Sequence, residues 1–131
     1  MSQTILVVDD SPTIVKFVSF SLRNGGYKVV TACDGMDAIE RISRMTENVH
    51  LIITDLNMPN MDGYRFIATL RQNEQYRETP IIILSSEGSD DDRERGMAVG
   101  ATSYLVKPFN SSVLLCEVQK VLPSRAGAPA K

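Results

Sequence analysis

Asp9, Asp10, Asp55, Ser85 and Lys107 each stand at the end of a short apolar run in this sequence. Residues 5–8 lead into Asp9 and Asp10, and residues 51–53 lead through Thr54 into Asp55. Residues 81–84 lead into Ser85 and Ser86, and residues 103–106 into Lys107 and Pro108. Apolar runs of this length, bounded by turn residues, predict strands buried on both faces, as in a parallel sheet. The carboxyl ends of such strands share one edge, where open α/β sheets place their ligand sites. Three carboxylates, a hydroxyl pair and an ammonium would then converge from distant parts of the chain. Taken alone, Asp55 could cap the next turn, and Lys107 could be a solvated surface lysine. Four polar strand ends together point to one site.

The chemistry open to such a cluster is narrow. An ionised carboxylate at the lip of a buried strand is costly unless a cation or hydrogen-bond donors face it. Two or three carboxylates in one pocket repel, so one stays protonated or a cation sits among them. Oxygen donors without thiolate or imidazole favour a hard ion. One or two carboxylates with waters and a phosphate is how Mg²⁺ is usually held.

The segments between the runs must position these groups, and they read as helices. Ser11 and Pro12 start the first, since Ser can cap and Pro suits the first helical position. Ile14, Val18 and Leu22, with Val15 alongside, form its apolar stripe, and Asn24-Gly25-Gly26 ends it. Lys28–Ala32 is a second strand. Asp34 caps a helix with Ala38, Ile39, Ile42 and Met45 inward, and Asp62-Gly63 opens one with Phe66, Ile67 and Leu70 inward. Glu78-Thr79-Pro80 breaks the chain before the fourth strand. Ser89 and Asp92 form a capping pair for a short fourth helix, interrupted by Gly96 and ended by Gly100. Its thin apolar support predicts the most movable helix of the set. Asn110 or Ser111 starts the last helix, which turns Leu114, Leu115, Val118, Val121 and Leu122 inward. The alternation βαβαβαβαβα implies a doubly wound α/β domain with five parallel strands, five helices and right-handed crossovers.

The whole chain permits this. Its 131 residues, 43% hydrophobic, suffice for one domain with its own core. A net charge of −2 gives no reason to expect nucleic acid or an anionic membrane as partner. No apolar run approaches the ~20 residues of a membrane span, and no signal-peptide pattern opens the chain, so a cytoplasmic protein is expected. Cys33 and Cys116 lack metal-ligand spacing and are expected to be reduced, buried thiols. The domain is expected to span 1–122, with 123–131 a disordered tail.

VVDDS, TDLNMPNMDG, ILSS and YLVKPF, in this order, resemble the receiver domain of two-component response regulators. The resemblance runs over residues 4–122 and is closest to single-domain chemotaxis receivers of the CheY type. It implies a flavodoxin-like strand order, 2-1-3-4-5, for which CheY is a standard example. It implies that Asp55 accepts a phosphoryl group, with Asp10 and Asp55 binding Mg²⁺ by carboxylate, Asn57 by its backbone carbonyl and Asp9 through water. Lys107 would neutralise developing charge, and Ser85 would hydrogen-bond the product phosphate. Ser85 and Tyr104 would couple the site to the face of the fourth helix, fifth strand and fifth helix, where a protein target binds. Asn57 and Glu87 match the positions that tune dephosphorylation, and the Lys107–Pro108 bond is implied to be cis. The family's departures here are a serine at 85, the smaller of two usual hydroxyl residues, and Ser86 in place of a common alanine. Asp90-Asp91-Asp92, and Glu117 beside Lys120, stand on the face of the fourth and fifth helices that often carries lysines in receivers of the flagellar switch.

The phosphoryl donor is expected on another protein. His50, the only histidine, lies roughly 16 Å from Asp55 along an extended strand and reads as a surface residue without a role. The partners implied are a sensor histidine kinase, a downstream target and a phosphatase, with the receiver itself a monomer. It would catalyse only its own phosphorylation and autodephosphorylation. The alternative within signalling is a phosphorelay intermediate that passes the phosphoryl group to a histidine phosphotransfer protein. A helix-turn-helix output is not expected, because the sequence ends with the receiver. A Mg-dependent phosphohydrolase is a weaker reading, because its usual second Asp, two residues after the nucleophile, is Asn57 here. A flavodoxin-like electron carrier would need a phosphate cradle where Asp9 and Asp10 stand.

Overall fold

Each central strand can be buried on both faces because its side chains alternate between two apolar layers. The computed structural model describes residues 3–46, 48–58, 60–86 and 89–122. The chain runs β1 (Thr4–Val8), α1 (Pro12–Asn24), β2 (Lys28–Ala32), α2 (Gly35–Arg44), β3 (Leu51–Asp55), α3 (Gly63–Arg71), β4 (Ile81–Ser85), α4 (Asp90–Val99), β5 (Ser103–Val106) and α5 (Ser111–Val121). All pairings are parallel, and the order is β2-β1-β3-β4-β5, as the sequence patterning and the resemblance together imply. Ile5, Val7, Leu51, Ile53, Ile82 and Leu84 pack with Val18 and Leu22 of α1 and Leu114 and Val118 of α5. Leu6, Val8, Ile52, Ile81 and Ile83 turn the other way, onto Ala38 and Ile42 of α2 and Phe66, Ile67 and Leu70 of α3. Full burial of one such side chain stabilises by about 1.5–3 kcal/mol.

A side-chain oxygen caps the start of every helix. Ser11, Asp34, Asp62, Ser89 and Asn110 accept from the N–H groups of Ile14, Asp37, Arg65, Asp92 and Val113. A cap of this kind contributes about 1 kcal/mol. Because each helix follows a strand, the caps fall at the sheet's carboxyl edge and fix the loops that frame it.

Helix α4 is held differently. Only Gly96 of its residues is buried, as its sequence implies. Arg95 lies over the ring of Tyr64 with its guanidinium carbon 4.0 Å from the centroid, and Arg93 lies over Tyr104 at 5.0 Å. A Cβ at Gly96 would stand 2.6 Å from Ile83 Cδ1, so the missing side chain lets the helix lie close on β4.

Two expectations need correction. Cys33 and Cys116 are exposed rather than buried. Cys33 falls in the turn after β2, and Cys116 is two residues from Leu114 and from Val118, on the opposite side of α5. His50 is not idle. Its Nδ1 accepts from the Thr4 N–H at 3.0 Å, while its own N–H donates to the Thr4 carbonyl at 2.8 Å, so it ties the entrance of β3 to β1. The expected tail at 123–131 lies outside the described residues. No helix of the described residues is long and apolar enough to cross a membrane.

Candidate functional site

The chain turns sharply after β3 because Gly63 permits it. Gly63 donates its N–H to the Leu56 carbonyl at 2.8 Å, and a Cβ there would meet the Asp55 carbonyl oxygen at 2.4 Å and Leu56 Cα at 2.7 Å. Asp55 is thereby fixed at the strand end, 7% exposed. Its Oδ1 accepts from the Leu56 N–H at 2.8 Å, and the Thr54 hydroxyl donates to its carbonyl at 2.9 Å.

Strand β1 supplies the neighbours. Asp9 is 2% exposed, and Asp10 is exposed. Asp9 Oδ1 accepts from the Ser11 N–H at 2.9 Å. Carboxylate oxygens of Asp9, Asp10 and Asp55 lie within 4.8 Å of one another. Lys107, at the end of β5, places Nζ 3.1 Å from Asp9 Oδ2 and 3.6 Å from Asp55 Oδ1. Its backbone N–H donates to the Ser85 carbonyl at 2.8 Å, continuing the β4–β5 ladder beyond the Ser85–Val106 pair. The Lys107–Pro108 peptide is cis, as the resemblance implies.

Burial, and then the adjacent Asp9 carboxylate, push the Asp55 carboxyl above the ordinary carboxylate range. Lys107 and the Leu56 N–H pull the other way, and Asp10 adds to the rise. Positive charge brought to this carboxylate favours its ionised form, as Lys107 already does in part. The three carboxylates offer oxygen ligands alone, which suits a hard divalent cation such as Mg²⁺ and gives a soft one no purchase.

Of the remaining expected residues, Ser85 is fully buried at the end of β4, and Asn57 is exposed two residues beyond Asp55. Tyr104 is 6% exposed, inside the layer beneath α4 rather than half in water. Glu87 lies outside the described residues. Sequence reasoning named Asp34 only as a cap. Its second carboxylate oxygen accepts from Asn60 Nδ2 at 2.8 Å, across 26 positions of chain, and nothing in the spacing signals that pairing.

Comparison with known proteins agrees with this geometry. Residues 5–119 match the family model of the response regulator receiver domain. Protein PilG of Pseudomonas aeruginosa is 38% identical over 120 residues, 92% of this chain and 87% of PilG. The chemotaxis response regulator CheY4 of Vibrio cholerae superposes with a TM-score of 0.88 at 43% identity, covering 93% of this chain and all of CheY4. The receiver domain of the sensor histidine kinase PA1611 of Pseudomonas aeruginosa, which has magnesium coordinated in its active-site cleft, gives 0.85 at 32% identity. That match covers 95% of this chain and all of the other. The transcriptional regulator PhoP of Bacillus subtilis is 35% identical, and this chain spans 53% of its length. The chain likewise spans about half the length of the transcriptional regulators PrrA of Mycobacterium leprae and HprR and PhoB of Escherichia coli.

Proposed function

The chain belongs to the response regulator receiver domain family, and from that premise we propose that it is a phosphorylation-driven signalling switch with Asp55 as the acceptor. The observation that carries this reading is the convergence of Asp9, Asp10, Asp55 and Lys107 at one sheet edge. A carboxylate oxygen of Asp55 attacks the phosphorus of a kinase phosphohistidine, in line with the P–N bond that breaks. The imidazole leaves neutral when its other nitrogen is protonated. Lys107 stands where the ammonium can neutralise charge on the equatorial oxygens, and Ser85 supplies a hydroxyl for the product phosphate. Asp10, Asp55 and the Asn57 carbonyl are the residues that would hold Mg²⁺, with Asp9 at second remove. That ion, when bound, supplies charge neutralisation at the transferring group.

The added phosphate carries about −1.5 to −2 charges and three acceptor oxygens. Movement of the Ser85 hydroxyl toward them would alter the packing of Tyr104 beneath α4, and so the α4–β5–α5 face offered to a protein target. The likeness to PilG and CheY4 supports a chemotaxis-type role and a cytoplasmic setting. The likeness to a kinase receiver domain keeps a phosphorelay role as the second reading.

The test is labelling by acetyl phosphate followed by mass spectrometry. One phosphoryl group is expected on wild type with Mg²⁺, none in EDTA and none on Asp55→Ala. Undiminished labelling of Asp55→Ala would sink the assignment.

A further inference from the structure

The chain between Leu56 and Gly63 carries Asn57, two residues from Asp55, and the Gly63–Leu56 hydrogen bond closes its base. Its crown is held from outside, by the start of α2. Asn60 stands in the left-handed region, with φ of 71°, a conformation Asn tolerates better than most residues. From there its side-chain amide donates to Asp34 Oδ2. Asp34 Oδ1 meanwhile accepts from the Asp37 N–H at 2.8 Å, and the residue is 6% exposed. A cap alone would need neither a charge nor a second oxygen, since Ser or Thr serves as well. The next residue supports the same contact. A Cβ at Gly35 would come within 3.1–3.2 Å of three Met61 side-chain atoms, so the glycine makes room for Met61. The β2–α2 turn is tied to the site on its other side as well, because the Ala32 carbonyl accepts from the Asp9 N–H at 3.2 Å.

We propose that Asp34 is a positioning residue for the phosphoryl-acceptor site: through Asn60 it holds the segment that presents the Asn57 carbonyl, and thereby sets Mg²⁺ affinity. The inference rests on the proposed function and adds to it a residue from a helix that contributes no group to the cluster. Groups that orient ligands typically alter metal affinity by about 10–100-fold when removed. A single neutral donor to a carboxylate, acting through backbone, belongs at the low end.

The test uses the whole chain and Mg²⁺ alone, by isothermal titration, with acetyl phosphate labelling as the second readout. Asn60→Gly keeps the positive φ and removes the amide. Asp34→Ser keeps a cap and removes the second oxygen. Each is expected to bind Mg²⁺ about tenfold more weakly and to label more slowly at subsaturating Mg²⁺. The exchange Asp34→Asn with Asn60→Asp reverses donor and acceptor at constant net charge, and should return affinity to within about threefold of wild type. Urea unfolding in EDTA separates these effects from loss of fold, since destabilisation alone would leave the affinity of the folded protein unchanged. Wild-type affinity in both single variants overturns the inference, as does an exchange variant no tighter than Asn60→Gly. Failure of wild type itself to bind Mg²⁺ or to label overturns the proposed function, and this inference with it.

Discussion

Lys107 Nζ stands 3.6 Å from Oδ1 of Asp55, within ion-pair reach of the carboxylate it is proposed to serve. The same nitrogen is nearer to Asp9, at 3.1 Å, so one ammonium is shared between two buried carboxylates. On the proposed function, such sharing would make Lys107 a competitor of the divalent cation as well as an aid to transfer.

Lys107→Ala should therefore separate two properties. Removing a positive charge beside three carboxylates should tighten Mg²⁺ binding by about three- to tenfold. Loss of a donor aimed at the transferring group should slow labelling at saturating Mg²⁺ by about 10²-fold, the scale of a lost transition-state contact. Titration and labelling rates on one preparation check both. Weaker Mg²⁺ binding in the variant would show that the lysine organises the acids rather than competing for them.

The raised Asp55 carboxyl has a consequence for stability, and its sign is fixed. The folded-state pKa lies above the unfolded one, through burial first and Asp9 second. Between the two values the folded protein holds more protons, so stability falls as pH rises through that window. Above the folded value the penalty is fully in place. In EDTA at pH 8, Asp55→Asn should raise Tm by about 2–4 °C, and the gain should shrink on acidification toward pH 4. Saturating Mg²⁺ should also narrow it, because only wild type keeps all three carboxylates for the ion. Thermal unfolding at several pH values decides the matter, and a lower Tm for the variant in EDTA at pH 8 would contradict it.

The parts of this molecule that were legible in sequence are those where one local pattern suffices. Residues 51–53 and 81–83 are apolar without alternation, which only a strand covered on both faces tolerates, and both lie fully buried in the centre of the sheet. Asp34, Asp62 and Ser89 were readable as caps from type and position. The convergence of Asp9, Asp55 and Lys107 followed from strand ends sharing an edge. What escaped depends on register between distant segments. The tie of His50 to Thr4 and the bond of Asn60 to Asp34 both pair side chains with partners that no spacing marks. The exposure of Cys116 was readable in principle. The helical stripe through Leu114 and Val118 turns it outward, and a general preference of cysteine for burial outweighed that geometry.

Two glycines on the helices allow a contrast in severity. A Cβ at Gly63 would strike backbone, the Asp55 carbonyl oxygen at 2.4 Å, which cannot yield without moving Asp55, the proposed acceptor. Gly63→Ala should cost about 2–4 kcal/mol and impair labelling as well. A Cβ at Gly96 would strike the terminal methyl of Ile83 at 2.6 Å, and an alanine there regains about 1 kcal/mol of helix propensity. Gly96→Ala should therefore cost no more than about 1–2 kcal/mol and leave labelling intact. Urea unfolding of both variants gives the ranking. Equal losses would mean that α4 is as tightly constrained as the segment after β3.

The last prediction concerns how long the signal persists. Asn57 follows Asp55 by two residues and is exposed, and by the family resemblance its side chain borders the path by which a water would reach the aspartyl phosphate. Glu87 follows Ser85 by two residues in the sequence, and by the family resemblance it flanks the phosphate from the other side. Hydrolysis needs a water in line with the acyl phosphate bond, and short polar groups can admit and orient one where bulky groups would exclude it. A lifetime of seconds to a few minutes is expected for the wild-type phosphoprotein, as suits a chemotaxis-type switch. Replacing both residues by Lys or Met should lengthen it by about tenfold, equivalent to ~1.4 kcal/mol in the hydrolysis barrier. Release of phosphate from the labelled protein, followed after rapid removal of acetyl phosphate, measures both lifetimes. A wild-type lifetime of hours would favour the phosphorelay reading, because a relay must hold its phosphoryl group until a second histidine arrives.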